Sequence, residues 1–98
     1  MAQHWKQLGK YLREKRIESG ISQGSVAKRL KYRSPQFISN WERGVSSPPI
    51  KKINELIEIY GLSKKEVIKI ILDETKQHLE RQIRVAGTRM SVGEAYAR

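Results

Sequence analysis

At 98 residues the chain is long enough for one domain with a modest core, and leaves little room for an enzyme cleft beside it. Twenty Lys and Arg stand against ten Asp and Glu, a formal charge of +10 that suits a polyanionic partner. Cysteine is absent, which excludes disulfide staples and thiolate metal sites, and His4 and His78 lie far apart in the chain, so neither metal nor cofactor is expected.

The positive charge is concentrated toward the start. Residues 1–44 carry ten basic and three acidic side chains, residues 45–73 five and four, and residues 74–98 five and three, so the first half is the polyanion-facing one. Met1 to Gln7 lacks the apolar run of a signal peptide, and no stretch approaches the roughly 20 apolar residues of a membrane span; a cytoplasmic protein without membrane contact is expected.

Trp5, Leu8, Leu12 and Arg16 fall on one face at the helical period, predicting a first helix over 5–19 that Gly20 stops. Ser22 is placed to cap a second helix over 23–30, with Val26, Ala27 and Leu30 inward, and Lys31-Tyr32-Arg33 forms the connection. Ser34 then caps a third helix, with Pro35 at its first position and Gly44 closing it. In this helix Ile38 and Trp41 face inward, while Gln36, Asn40 and Arg43 form a polar stripe at i, i+4, i+7. Phe37, one turn before Trp41, is expected to pack against it, the alternative being apolar contact with a thymine methyl.

Ser46-Ser47-Pro48-Pro49 leads into a fourth helix over 50–60, inward at Ile50, Ile53, Leu56, Ile57 and Tyr60 and ended by Gly61. Ser63-Lys64-Lys65-Glu66 has the form of a capping box opening a fifth helix, with Val67, Ile68, Ile71 and Leu72 as candidates to complete the core. Beyond Asp73, Thr75, Leu79, Gln82 and Ala86 continue a thin seam with Ile83 beside it. This predicts either one long fifth helix or a sixth after a bend near Asp73, and Thr88 to Arg98, with few apolar anchors, is expected to be mobile. No strand pattern and no repeat is visible, so the fold class is all-α.

Several of these residues carry a resemblance. Lys15-Arg16-Ile17, Gly20-Ile21-Ser22-Gln23, Val26-Ala27, Ile38-Ser39, Glu42-Arg43-Gly44, Pro48 and Tyr60-Gly61-Leu62-Ser63 make residues 12–67 resemble the Cro/C1-type (Xre) helix-turn-helix family of phage and bacterial repressors. The resemblance implies a compact five-helix, lambda-repressor-like DNA-binding domain over 5–73 and a C-terminal helical extension and tail over 74–98. It places Pro35, Gln36, Ser39 and Asn40 on the base-reading face. Gln and Asn can each pair bidentately with adenine, whereas Pro35 offers no hydrogen bond. It places Ser22, Gln23 and Arg16 at the phosphates, and makes Arg16 and Glu42 an ion pair between the first and third helices, a pairing that is otherwise purely structural. Arg33 and Ser34, at the capped end of the third helix, are expected at the phosphates as well, and so is Arg43, the alternatives for it being a guanine contact or an exposed basic residue favoured by the helix dipole. The connection between the second and third helices is one residue longer than in the commonest members and lacks their glycine.

The function expected is that of a sequence-specific transcription regulator, a repressor, bound to double-stranded DNA as a homodimer on a pseudo-palindromic operator with half-sites roughly 34 Å apart. Leu72, Thr75, Leu79, Gln82, Ile83 and Ala86 are the candidate dimer seam, unless that helix packs back on its own domain. A different class remains open, an antitoxin or adaptor that uses the same fold and binds a protein partner through the C-terminal extension. Glu42 and His78 are the sole tempting acid–base pair, on separate elements and without a nucleophile, so no enzyme is expected.

Overall fold

A computed structural model describes residues 4–87, with side-chain environments through residue 83. Five helices follow one another: α1 (Lys6–Glu18), α2 (Gln23–Arg29), α3 (Gln36–Glu42), α4 (Ile50–Tyr60) and α5 (Lys64–Gly87), with no strand among the described residues. Residues 88–98, including the tail expected to be mobile, lie outside the described residues, as do residues 1–3 and the side chain of Ala86. No described helix is long and apolar enough to cross a membrane.

The core is built from a few side chains per helix: Leu8 and Leu12 of α1, Val26 and Ala27 of α2 with Leu30 after it, Ile38 and Trp41 of α3, and Leu56 and Tyr60 of α4. α2 and α3 are seven residues each, too short to hold a helical shape in water alone, so their form depends on this shared burial and on their ends. Ser22 Oγ accepts a hydrogen bond from Ser25 N at 3.0 Å, which caps α2. α3 begins one residue later than its sequence predicts. Pro35 occupies the cap position and its carbonyl accepts from Ser39 N, while Ser34 Oγ accepts from Gln36 N at 3.3 Å. Proline brings no amide of its own, so the serine hydroxyl closes its turn on the next available one.

α1 crosses α3 at very close range because position 9 is glycine. A Cβ there would sit against the carbonyl oxygens of Trp41 and Glu42, 2.6 Å from the latter. The same joint needs Gly44, which leaves α3 at φ +78° with Trp5 N donating to its carbonyl at 3.3 Å, and where a Cβ would stand 2.8 Å from Lys6 Cα.

α5 is one continuous helix through Asp73, without the bend considered from the sequence. Its inward face includes two of the four residues the sequence suggested, Val67 and Ile71. Val67 is buried and Ile70 and Ile71 pack on the core, whereas Ile68 and Leu72 are exposed, Leu72 by 62%. The helix carries apolar residues on two faces, and α1 covers the one that includes Glu74. Ile50 is likewise exposed, at 72%, because it is the first residue of α4 and the chain reaches the core a turn later at Ile53.

Glu74 is the polar exception in the interior. At 4% exposure its carboxylate accepts from Gln7 N at 2.7 Å and Leu8 N at 2.8 Å, the amides left free at the start of α1. Trp5 supplies no side-chain cap, so α5 caps α1 from 66 and 67 residues away, with a negative charge where the helix dipole favours one. The two histidines, expected to stand apart, are brought together at this joint. Their ring centroids lie 3.9 Å apart and each Nδ1 is buried without a hydrogen-bond partner. No group of three or more His, Asp or Glu placed to hold a metal ion occurs among the described residues.

Candidate nucleic-acid interface

Glu42 is the point on which the first three helices converge. Its side chain is 3% exposed, at the end of α3, and its carboxylate takes Arg16 Nε at 2.6 Å and Nη2 at 3.1 Å from α1, and Gln23 Nε2 at 2.9 Å from α2. Arg16 Nη1 donates to Ile21 O at 2.9 Å, so every guanidinium nitrogen is engaged inside the fold. The hydrogen bonding to the Glu42 carboxylate raises the Arg16 pKa further above an already high value, which keeps the guanidinium charged. Tyr60 lies alongside. Burial pushes its phenol above the usual tyrosine range, Glu42 adds to the rise, and Arg16 opposes it.

A buried pair of this kind contributes little net energy against an apolar replacement, but it fixes an arrangement, because a charge left without its partner is costly. Here the arrangement is the orientation of α3 relative to α1 and α2. Arg16 was also a candidate for phosphate contact; Glu42 and Ile21 take three of its five N–H groups and its side chain is 12% exposed, so the contacts it makes within the fold lie behind α3.

With Ile38, Trp41 and Glu42 turned inward, the opposite side of α3 carries the polar stripe. Gln36 and Arg43 are exposed and Asn40 is half-buried between them. Asn40 Oδ1 accepts from Gln36 Nε2 at 3.0 Å and from Arg43 Nη2 at 2.6 Å, so the three side chains form one hydrogen-bonded row. Pro35 is exposed and Ser39 half-buried on the same outer side. Ser22, Arg33 and Ser34 are exposed at the ends of α2 and α3, and Lys28, Arg29 and Lys31 are exposed beside them; Gln23 is half-buried with its amide turned to Glu42. A concave region of about 360 Å³ lined by His4, Lys6, Gln7, Lys10, Glu74, Gln77 and Arg81 lies at the α1–α5 joint and includes no residue of α2 or α3.

Phe37 does not pack against Trp41 as expected. It stacks on Tyr32, ring centroids 4.6 Å apart and planes inclined by 28°, and it is Tyr32 that meets Trp41, edge-on at 5.9 Å. Lys52 of α4 also meets the Tyr32 ring. Its Nζ is 5.1 Å from the Tyr32 ring centroid and donates to Leu30 O at 2.9 Å and Glu55 Oε1 at 3.3 Å. The connection itself turns at Lys31, at φ +66°, a left-handed conformation without the glycine that would adopt it freely. Sequence reasoning passed over Gly9, Glu74 and Lys52. A glycine within a helical run and a glutamate in the second half of a long helix were the visible signals, but neither names its partner.

Two short helices joined by a tight turn, the second clamped from behind and polar in front, define a helix-turn-helix domain. The model of the helix-turn-helix family matches residues 12–67, more than half of the chain, and the protein belongs to the Cro/C1-type branch of that family. Over 65 residues it is 43% identical to a protein of Aeropyrum pernix named "Putative HTH-type transcriptional regulatory protein", an overlap of 66% of this chain and 20% of the relative. The chain thus spans about one fifth of the length of the curated relative it matches. No solved structure matches the chain.

Proposed function

We propose that the chain is a sequence-specific DNA-binding transcription regulator that lays α3 in the major groove and acts as a repressor. The observation that carries this reading is the Gln36–Asn40–Arg43 row, solvent-facing on a helix whose back is held by Glu42. Gln36 and Asn40 present amides suited to adenine, with Ser39 and the apolar ring of Pro35 beside them. Ser22, Gln23, Arg33, Ser34 and Arg43 hold the flanking phosphates, which set register without reading sequence. Arg16 acts one step back, positioning α3 through Glu42.

The chain would bind a pseudo-palindromic site as a homodimer, pairing through the α5 seam. Leu72, Leu79 and Ile83 are each more than half exposed on it, with Thr75 and Gln82 between. The same exposed stripe also favours a second reading, a module that docks a different protein, antitoxin or adaptor, through α5. Selection of duplexes from a random pool by the full chain, with sizing of the complex, tests both. Enrichment of a two-fold site by a dimer supports the first reading. Gln36→Ala and Asn40→Ala should each relax preference by roughly 1 to 3 kcal/mol at one base pair and leave salt-dependent nonspecific binding in place. Absence of any enriched sequence overturns it.

A further inference from the structure

We infer that Phe37 is a base-reading residue specific for thymine, its ring edge meeting the 5-methyl group in the major groove. This rests on the proposed DNA reading and adds to it an apolar contact outside the polar row.

Phe37 is 51% exposed, although α3 has buried neighbours that an ordinary packing residue would join. It adjoins Gln36 in sequence, and at 100° per residue it lies 60° from Asn40, on the flank of the reading face opposite Ser39. One face of its ring is covered by Tyr32, which is itself held by the edge of Trp41 and by Lys52, so the ring is fixed before any ligand arrives. A fixed side chain loses little conformational freedom on contact. Within the major groove the base pairs present donors and acceptors almost throughout, and the 5-methyl of thymine is the apolar group they offer. A braced aromatic edge beside two adenine-pairing amides therefore has a matching target, the thymine opposite or adjacent to the adenines those amides read.

The full chain is first used to select a duplex. Each thymidine of the selected site is then replaced in turn by deoxyuridine, which removes the methyl and keeps every hydrogen-bonding group. Burial of one such carbon corresponds to about a fourfold change in affinity, so wild-type protein should lose about fourfold at one thymine of each half-site. Phe37→Ala should bind thymine and uracil forms of that position equally, while retaining its adenine preferences. Indifference of the wild type to uracil at every position overturns the inference whether or not the variant folds, as does a Phe37→Ala protein that still prefers thymine there. If the wild type enriches no sequence, the DNA-reading proposal itself has failed; if it enriches one and ignores the methyls, that proposal stands and the role of Phe37 does not.

Discussion

The first three helices and α5 use their residues in opposite ways. α2 and α3 have seven residues each and hold their places through a carboxylate that takes three hydrogen bonds, two from Arg16 and one from Gln23. α5 has 24 residues, needs no such hub, joins the core through Val67, Ile70, Ile71 and Glu74, and leaves Leu72, Leu79 and Ile83 in water. Orientation is concentrated in the hydrogen bonds to Glu42, and among the described residues α5 carries a stripe of exposed apolar side chains. The base reading proposed for α3 tolerates positional errors of well under an ångström, whereas an apolar stripe adjusts to whatever covers it, which accounts for costly buried charges behind α3.

Removing Glu42 should break this contrast most severely. Glu42→Ala leaves the Arg16 guanidinium half of a broken buried pair and strands the Gln23 amide, and should cost about 3 kcal/mol in chemical denaturation. Gly9→Ala follows, at about 2 kcal/mol, because the new methyl meets backbone that cannot rotate away and α1 must lift from α3. Glu74→Ala should cost about 1 kcal/mol through the two uncapped amides of α1, with Glu74→Gln recovering part of it by restoring an acceptor. This ranking fails if Glu74→Ala proves more damaging than Glu42→Ala. It also bears on how the α5 seam is examined. Truncation after Asp73 removes the cap of α1 along with all of the seam but Leu72, so Leu79→Glu, which leaves Glu74 in place, is the cleaner probe of a dimer; it should give a monomer in sedimentation.

A pH experiment sharpens the same point. The Tyr60 phenol is raised first by burial and then by Glu42, so the folded state holds its proton more tightly than the unfolded chain does. That contribution is present in full below about pH 10, where the unfolded phenol is also protonated, and is lost as the pH rises toward the higher folded value. Tyr60→Phe should therefore flatten the fall in stability above about pH 10, measured by denaturant unfolding across that range.

What was legible in the sequence follows the same division. α4 matches its predicted bounds because its apolar period, the prolines before it and Gly61 after it all act locally. The exposed row on α3 was readable for the same reason, since Ile38 and Trp41 left one side polar. Ile68 and Leu72 were misplaced because periodicity reports that a helix has an apolar face and does not choose between two; the choice was made by α1, through Glu74 and Val67. Gly9, Glu74 and the His4–His78 contact were hidden by distance along the chain. Each looks ordinary until a residue from another helix is set against it.

The smallest expected effect lies in the connection between α2 and α3, where the chain departs from the family's common glycine. Lys31 adopts φ +66° at a cost of roughly 1 kcal/mol for an L-residue, and its side chain is exposed. Lys31→Gly should relieve that strain, offset in part by the greater freedom glycine brings to the unfolded chain, for a net gain of a few tenths of a kcal/mol, about 0.3, in thermal unfolding. If the lysine is kept for its charge and not its backbone, the more stable variant should bind duplex more weakly and with a shallower salt dependence. A variant that gains stability and binds unchanged would place Lys31 outside the phosphate contacts; one that loses stability would mean that the turn draws more from the lysine stem than its exposure suggests.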